Sequence, residues 1–221
     1  TLADHADKLV QGRPVFHPHY DQLTGTFTAP REVKPGRTVI IQGLHTLFPR
    51  GLRRLFDLSI FVAPDERIRL FWKLRRDVQE RGHSQQKVLD ALNKRSEDSA
   101  VHIAPQRAYA DWIIEHVPRQ ETTADEILAG REPSIAVRHV LWNDAPIHDL
   151  VEALRAVSGC AVEVESAPGD MNRIIISVSG NIGQEEVGRI ATELYPDLRF
   201  LTRARVPPTW RAGTAGMTQL L

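Results

Sequence analysis

Three short runs of apolar, mostly β-branched residues, separated by helical segments, constrain the fold of this chain more than any other feature. The runs are RTVIIQG (37–43), DLSIFVA (57–63) and ADWIIEHV (110–117). Their hydrophobicity is continuous rather than alternating, which is typical of strands buried on both faces of a sheet. Parallel strands need long crossover connections, usually helices. The sequence therefore predicts an α/β fold with a parallel sheet flanked by helices.

Helical patterns precede and separate these runs. We predict a helix over residues 2–12 with Gly12 as its C-cap, a short crossover helix over 47–56, a strong helix over 64–81, and a further helix over 84–98 that begins at Ser84. Residues 13–30 are rich in proline and turn-forming residues, which predicts an extended, exposed loop.

The C-terminal part of the chain has a second pattern of elements. We predict strands over 134–142, 160–166, 173–179 and 198–204, and helices over 146–158 and 183–195. This β-α-β-β-α-β order is compatible with a separate α+β layer or with an extension of the first sheet. A polar stretch at 121–133 predicts a linker between domains at 1–120 and 134–221.

Charge and cysteine content exclude several classes of protein. Lys plus Arg and Asp plus Glu are balanced at 28 each, so no overall field favours nucleic acid or a membrane surface. The single cysteine, Cys160, allows no internal disulfide, and we interpret it as a small core residue at the start of a strand. No apolar run reaches the length of a membrane span. We therefore expect a cytoplasmic protein with no nucleic-acid or membrane partner.

The segment FWKLRRDVQERGHS (71–84) is the strongest candidate for chemistry. In a regular helix one face would carry three cations and an acid, namely Arg69, Lys73, Arg76 and Glu80. Such a stripe could bind phosphate, and the break at Arg81–Gly82 places it at a hinge between two helices. The alternative is an ordinary solvated surface with pairs such as Lys73–Asp77 and Asp77–Arg81. From this segment alone both interpretations remain open.

Several further segments occur together with this one in a known order. They are PHYDQLTG (18–25), VIIQGLHTLF (39–48), DLSIFVAPDERIR (57–69), IAPQRAYADWIIE (103–115) and, more weakly, GTAGMTQ (213–219). In sequence and spacing they resemble the phosphoribulokinase/uridine kinase family of P-loop kinases, and its phosphoribulokinase members most closely. The continuous resemblance spans about residues 2–117 and favours the phosphate-binding interpretation.

The resemblance implies an ATP-dependent kinase with a P-loop kinase-like fold, a sugar phosphate or nucleoside as its small-molecule substrate, and ATP and Mg²⁺ as cofactors. It implies that Lys73 and Arg76 are catalytic and face the transferred phosphoryl group or the substrate phosphate. It further implies that Arg81 closes over the nucleotide as part of a lid. Tyr20 and His45 would line the acceptor pocket. We also expect a homo-oligomer.

This chain departs from the family pattern in two respects. It contains no G-x-x-x-x-G-K-[ST] phosphate loop, which the family places, with its first strand and catalytic Asp, before the position of Thr1. In addition, Gln42 stands where the family has an acidic Mg²⁺ ligand, and a neutral amide binds Mg²⁺ more weakly than a carboxylate does. We therefore expect this chain alone to be inactive.

Three kinds of protein remain compatible with these observations. The first is a kinase seen without its phosphate loop, the second a degenerate kinase fold that binds or regulates, and the third an assembly module built on residues 134–221. Uridine kinases have a His shortly after a Tyr-Asp pair, and this chain has none after Tyr20 and Asp21, which favours a sugar phosphate over a nucleoside. We interpret His17 and His19 as loop residues rather than metal ligands.

Overall fold

The computed structural model describes residues 1–21, 24–196 and 209–220. The chain divides into two units, and each unit combines two stretches of sequence. The first comprises Thr1–Ser59 and Arg95–Ala110, and the second comprises Ile60–Lys94 and Asp111–Leu221. The domain boundary expected at residues 121–133 stays a prediction; that stretch contains a short helix whose Ile127 is buried.

The described helices are, in chain order, α1 (Leu2–Val10), α2 (Arg50–Arg53), α3 (Glu66–Leu74), α4 (Gln85–Lys94), α5 (Ser96–Asp98), α6 (Ala124–Leu128), α7 (His148–Arg155), α8 (Gln184–Leu194) and α9 (Gly213–Leu220). Helix α3 continues directly into a π-helical segment, Arg75–Glu80. Helix α5 continues into a π-helical turn and a 3₁₀ segment that ends at Tyr109. The helices predicted over 2–12 and 64–81 are confirmed, whereas the one predicted over 84–98 is divided at Arg95.

The described strands are β1 (Val15–His17), β2 (Tyr20–Asp21), β3 (Thr26–Phe27), β4 (Arg31–Val33), β5 (Ile60–Pro64), β6 (Trp112–Pro118), β7 (Ile135–Trp142), β8 (Cys160–Ala167) and β9 (Asp170–Gly180). Strands β1 and β4 pair antiparallel, as do β2 and β3. Most of the described residues in 13–30 are exposed, as expected, although Val15 is buried, and they contain strand pairing that was not predicted. Short strands of this kind are hard to recognise because two or three residues carry no visible periodicity.

The strand predicted over residues 37–43 is wrong. This run forms no strand, and Ile40 is 87% exposed. Its β-branched residues favour extended backbone, but a strand is stabilised only by hydrogen bonds and side-chain packing against a neighbour. Among the described residues no strand pairs with this run.

The second unit is built on a five-stranded sheet with the order β5-β6-β7-β9-β8. Strands β5 and β6 are parallel, as the two apolar runs predicted, and the other pairs are antiparallel. The sheet is therefore mixed, and the C-terminal strands extend it instead of forming a separate layer. Strand β5 is less buried than predicted, because Ile60 and Val62 are about half exposed.

The predicted C-terminal elements from 134 to 195 are confirmed within a few residues of their expected ends. Strands β8 and β9 are joined at Pro168–Gly169, where Gly169 has a φ of 76° that suits a two-residue hairpin. Cys160 begins β8 and packs at the edge of the core, as expected. The strand predicted over 198–204 lies outside the described residues.

The core of the second unit lies between the sheet and the C-terminal helices. It joins side chains of the middle strands to helices α7, α8 and α9, and its fully buried members include Val137, Leu154, Ile176, Ile190 and Met217. This packing fixes the sheet from which α3 emerges. In residues 1–21, 24–196 and 209–220, no helix is both long and apolar enough to cross a lipid bilayer.

Candidate functional site

Helix α3 and its π-helical continuation position the predicted phosphate-binding cations. Asp65 caps α3, its carboxylate accepting the backbone N–H of Arg67 at 2.9 Å. Lys73 lies in the last turn of α3, Arg76 lies in the π-helical segment, and Arg81 follows its end. A π-helix has more residues per turn than an α-helix, so the single stripe predicted from regular helical spacing does not extend past Lys73.

Asp77 holds two of these cations. Its Oδ1 accepts from Arg76 Nε at 2.8 Å and from Arg81 Nη1 at 3.2 Å, and its Oδ2 accepts from Arg76 Nη2 at 3.2 Å. The carboxylate is buried, whereas the side chains of Arg76 and Arg81 are 51% and 49% exposed. The hydrogen bonds from Arg76, opposed by burial, lower the pKa of Asp77. The two guanidinium groups are thus oriented by one anion and remain accessible to solvent.

Asp77 was not among the site residues predicted from the sequence. The Asp77–Arg81 spacing was interpreted as a feature of an ordinary surface helix. Asp77 pairs with its neighbour Arg76 within the π-helical segment, and the burial of the carboxylate depends on tertiary packing. The one signal available in the sequence was an acid directly after one arginine and four residues before another.

The break after Arg81 occurs where it was predicted. Gly82 has a φ of 69°, a conformation that favours glycine, and its N–H donates to the carbonyl of Val78 at 3.1 Å. The N–H of His83 donates to the carbonyl of Asp77 at 2.9 Å. Helix α4 then begins with Ser84 accepting the N–H of Lys87. The cations therefore lie at a tight turn between two helices, and the closing movement of a lid stays a prediction.

Tyr20 lies in the first unit, beside a surface cavity of about 410 Å³. Its ring meets that of Phe27 edge to face with a centroid separation of 5.2 Å. The same cavity is lined by His17, His19 and Arg31. An aromatic face, a hydroxyl group and cationic or polar nitrogen donors are suited to a small polar anion.

Gln42 lies in the unpaired run 37–43, and His45 lies in the irregular segment that follows it. Both are exposed. The His45 ring is 6.5 Å from that of Phe48 and 6.4 Å from that of His102, measured between centroids. The structure thus places Tyr20, Gln42 and His45 in the first unit and Lys73, Arg76 and Arg81 in the second.

Within residues 1–21, 24–196 and 209–220, no group of three or more His, Cys, Asp or Glu side chains is placed to hold a metal ion. Gln42 offers a single neutral oxygen, and Mg²⁺ prefers carboxylates and water. The cations of α3 suit phosphate groups such as those of ATP, but the chain has no glycine-rich loop to surround them.

Comparison with known proteins identifies relatives of this chain. Residues 2–123, which include every predicted site residue, match the model of the Phosphoribulokinase / Uridine kinase family. The phosphoribulokinase of Synechocystis sp. is 36% identical over 110 residues, which are 50% of this chain and 33% of that protein. The chloroplastic phosphoribulokinase of Mesembryanthemum crystallinum is 37% identical over 124 residues, 56% of this chain and 31% of that protein.

A uridine kinase of Deinococcus deserti is 32% identical over 130 residues, 58% of this chain and 63% of that protein. The chain spans about a third of the length of the two phosphoribulokinases. Among solved structures, phosphoribulokinase from Rhodobacter spheroides aligns with a TM-score of 0.62 and 20% identity, covering 90% of this chain and 70% of that one. This likeness confirms the predicted P-loop kinase-like α/β fold.

Proposed function

Because this chain belongs to the Phosphoribulokinase / Uridine kinase family, we propose that the intact protein transfers the γ-phosphoryl group of ATP to a hydroxyl group of a sugar phosphate. The observation that carries the proposal lies in the π-helical segment that follows α3. There, buried Asp77 orients the half-exposed guanidinium groups of Arg76 and Arg81. Phosphoryl transfer depends mainly on positioning and on neutralising the charge of the phosphoryl oxygens. Oriented guanidinium groups beside a lysine are suited to both tasks.

The proposed roles of the cations follow from their hydrogen bonds. Arg76 uses Nε and one Nη2 hydrogen on Asp77, and its remaining N–H groups are available to an anion. Lys73, a compact charge one turn earlier, would contact the transferred phosphoryl group or the substrate phosphate together with Arg76. Arg81, at the turn before α4, would close over the nucleotide. Mg²⁺, when bound, would supply additional positive charge to the phosphates.

The acceptor pocket is proposed at Tyr20 and His45. Arg31 lines the cavity beside Tyr20, and its guanidinium group favours an anionic acceptor over an uncharged nucleoside. A sugar phosphate therefore suits this cavity better than a nucleoside, which is the alternative within the family.

A second candidate function is supported by Gln42. A neutral residue at the family's acidic position, and the lack of a metal-binding cluster among the described residues, favour a degenerate kinase fold that binds a sugar phosphate without turnover. The coding sequence before Thr1 separates the two candidates. A G-x-x-x-x-G-K-[ST] motif there supports the kinase, and a natural gene without one contradicts it.

The direct test is an ATP-consumption screen with the protein encoded by the complete gene, in the presence of Mg²⁺. The acceptors are ribulose 5-phosphate, other pentose and hexose phosphates, uridine and cytidine. We expect turnover with one sugar phosphate and none with the nucleosides. Turnover of a nucleoside alone would contradict the proposed acceptor, and no turnover of any compound would support the binding protein. Gln42→Glu should raise activity if this position contacts Mg²⁺.

We further propose that the protein acts in the cytoplasm as a homo-oligomer with a small-molecule substrate. The cytoplasmic assignment is supported by the single cysteine. Cell fractionation tests the location, and light scattering after size exclusion tests the oligomeric state. A monomeric mass over the working concentration range would contradict the second assignment.

A further inference from the structure

Gln106 is a buried polar residue to which the sequence analysis assigned no role. It lies in the 3₁₀ segment Ala104–Tyr109, and only 2% of its surface is exposed. Its Nε2 donates to the carbonyl of Leu44 at 2.8 Å and to that of His102 at 2.7 Å, while its Oε1 accepts the N–H of Leu47 at 2.9 Å. The amide therefore binds both ends of the turn that contains His45 and Thr46.

The hydrogen bonds from Gln106 fix the position of the turn where side-chain packing cannot. The side chain of Leu44 is 73% exposed, so burial does not hold the first end of the turn. The other end is held by Gln106, by the buried side chain of Leu47, and by Arg53, which donates to the carbonyl of Leu47 at 2.7 Å. Loss of the Gln106 amide would release the first end and leave the second attached.

The same amide nitrogen connects this turn to a second histidine. Because Nε2 of Gln106 bonds the carbonyls of both Leu44 and His102, it fixes the separation of two backbone segments that are remote in sequence. The His45 ring faces His102 across this connection, and the His102 ring meets that of Phe48 at a centroid separation of 5.3 Å. Gln106 thus sets the backbone on which the His45 ring is placed.

We propose that Gln106 is a positioning residue for the acceptor pocket: its amide holds the turn that presents His45 to the acceptor. This inference rests on the proposed function in assigning His45 to that pocket. An amide is the required group because it donates and accepts at the same time. An ionised carboxylate of the same size would repel the two carbonyl groups, and a thioether of the same size would leave the carbonyl and N–H groups of the turn unpaired.

The first experiment measures the conformation and the hydrogen exchange of this turn in the present chain, without any substrate. Gln106→Glu and Gln106→Met keep the side-chain volume, so one serves if the other does not fold. We expect both to shift the ring signals of His45 in nuclear magnetic resonance spectra. In Gln106→Met we also expect hydrogen exchange of the Leu47 amide to be faster by about tenfold or more, because the oxygen that accepts the Leu47 N–H is lost.

Ser59→Ala is the matched control for this experiment. It removes another buried side chain-to-backbone hydrogen bond in the same unit, from Ser59 to the carbonyl of Tyr109 at 3.0 Å. We expect it to leave the His45 ring signals and the Leu47 exchange rate unchanged. If Gln106→Glu and Gln106→Met also leave both unchanged, or if Ser59→Ala changes them equally, the proposal is wrong.

The second experiment measures activity of the intact protein with ATP and ribulose 5-phosphate, or with the acceptor that the screen identifies. Gln106→Glu should raise KM for the acceptor by about tenfold and leave KM for ATP unchanged. If Gln106 acts through His45, the double variant with His45→Ala should be no worse than His45→Ala alone. Additive effects would overturn the link to His45.

The two experiments separate failure of this inference from failure of the proposed function. If the intact protein phosphorylates no acceptor while the Gln106 variants displace the His45 ring, the positioning role holds and the kinase assignment fails. If the protein is an active kinase and the His45 ring does not move, the positioning role fails by itself.

Discussion

Asp77 shows how one buried carboxylate can orient two neighbouring arginine side chains. Sequence reasoning identified Lys73, Arg76 and Arg81 as the group of interest because cations are easily recognised. It could not identify their anchor, since an acid between arginines is common on solvated helices. Burial is decided by residues distant in sequence, and the π-helical segment that contains Asp77 has no known sequence signal.

The first prediction concerns the Asp77 carboxylate. Asp77→Asn should lower the free energy of unfolding by about 1–3 kcal/mol at neutral pH, since it removes the charge from a buried, hydrogen-bonded pair. The pKa of Asp77 is lowered in the folded protein, so its contribution is complete above the unfolded pKa of about 3.9 and disappears as the pH falls through the folded value. Urea unfolding at several pH values measures the difference.

Glu80→Gln is the control for that experiment. Glu80 lies in the same π-helical segment, but its side chain is exposed. We expect a change of less than about 0.5 kcal/mol. Equal losses for the two variants would show that Asp77 is an ordinary surface charge.

His139 is a second residue whose environment sequence could not reveal. It is fully buried, and its Nδ1 accepts the indole N–H of Trp112 at 2.9 Å. Burial, with a further contribution from His116, lowers the pKa of His139 to about 3. Burial also lowers the pKa of His116, so both imidazoles favour the neutral form in the folded protein.

The second prediction follows from the lowered pKa of His139. In the unfolded chain a histidine binds a proton below a pKa of about 6.5, whereas folded His139 does not until about pH 3. Stability is therefore complete above pH 6.5 and falls below it, by about 2 kcal/mol between pH 6.5 and 5 for His139 alone. His139→Gln, which keeps an acceptor for Trp112, should reduce this loss, and exposed His148→Gln should not. A loss of the same size in both variants would contradict the assignment.

At the scale of secondary-structure elements, the structure shows that local β-propensity alone does not lead to strand pairing. The sequence predicted most of the helices and strands β6 to β9. In these elements the periodicity or the apolar run agrees with the way the element packs. The run 37–43 has similar β-branched residues and forms no strand, because pairing requires a partner that the sequence pattern does not specify. The hairpins around Tyr20 were missed for the opposite reason: their pairing is real but too short to leave a pattern.

The third prediction tests this distinction. Ile40→Thr, in the unpaired run, should change the free energy of unfolding by less than about 0.5 kcal/mol, because the side chain is 87% exposed. Ile176→Ala, in the middle of the sheet, should cost about 2–5 kcal/mol, since it leaves a cavity in a fully buried core. Chemical unfolding of both variants provides the comparison. A large cost for Ile40→Thr would show that the run is paired in solution.

At the scale of the whole molecule, the most consequential finding is that the C-terminal strands complete the sheet of the kinase-like region. The alternation of strands and helices predicted the α/β class but not the strand order, because the pattern does not state which strands become neighbours. Strand β7 pairs with β6 over six positions, from Ile113–Val140 to Pro118–Ile135. The predicted boundary at 121–133 would therefore cut between two paired strands.

The fourth prediction is that a chain ending at residue 133 does not fold cooperatively. Removal of β7 would expose buried Ile113 and Ile114 on β6 and leave a two-stranded remnant of the sheet, which is marginally stable in water. Calorimetry and near-ultraviolet circular dichroism of residues 1–133 measure this outcome. A single sharp thermal transition would instead support an independent domain at 1–120.

The junction where α3 leaves the sheet has a mechanical consequence. The backbone N–H of Asp65 donates to the carbonyl of His116 at 2.8 Å, and the ring of Trp72 meets that of His116 at 5.0 Å. From this junction the helical segment extends about 20 Å to Arg81. Because of this length, a tilt of about 10° at the sheet would displace the guanidinium groups by about 3 Å. A substitution at His116 that tilted the segment would therefore move Arg76 and Arg81 without touching either arginine.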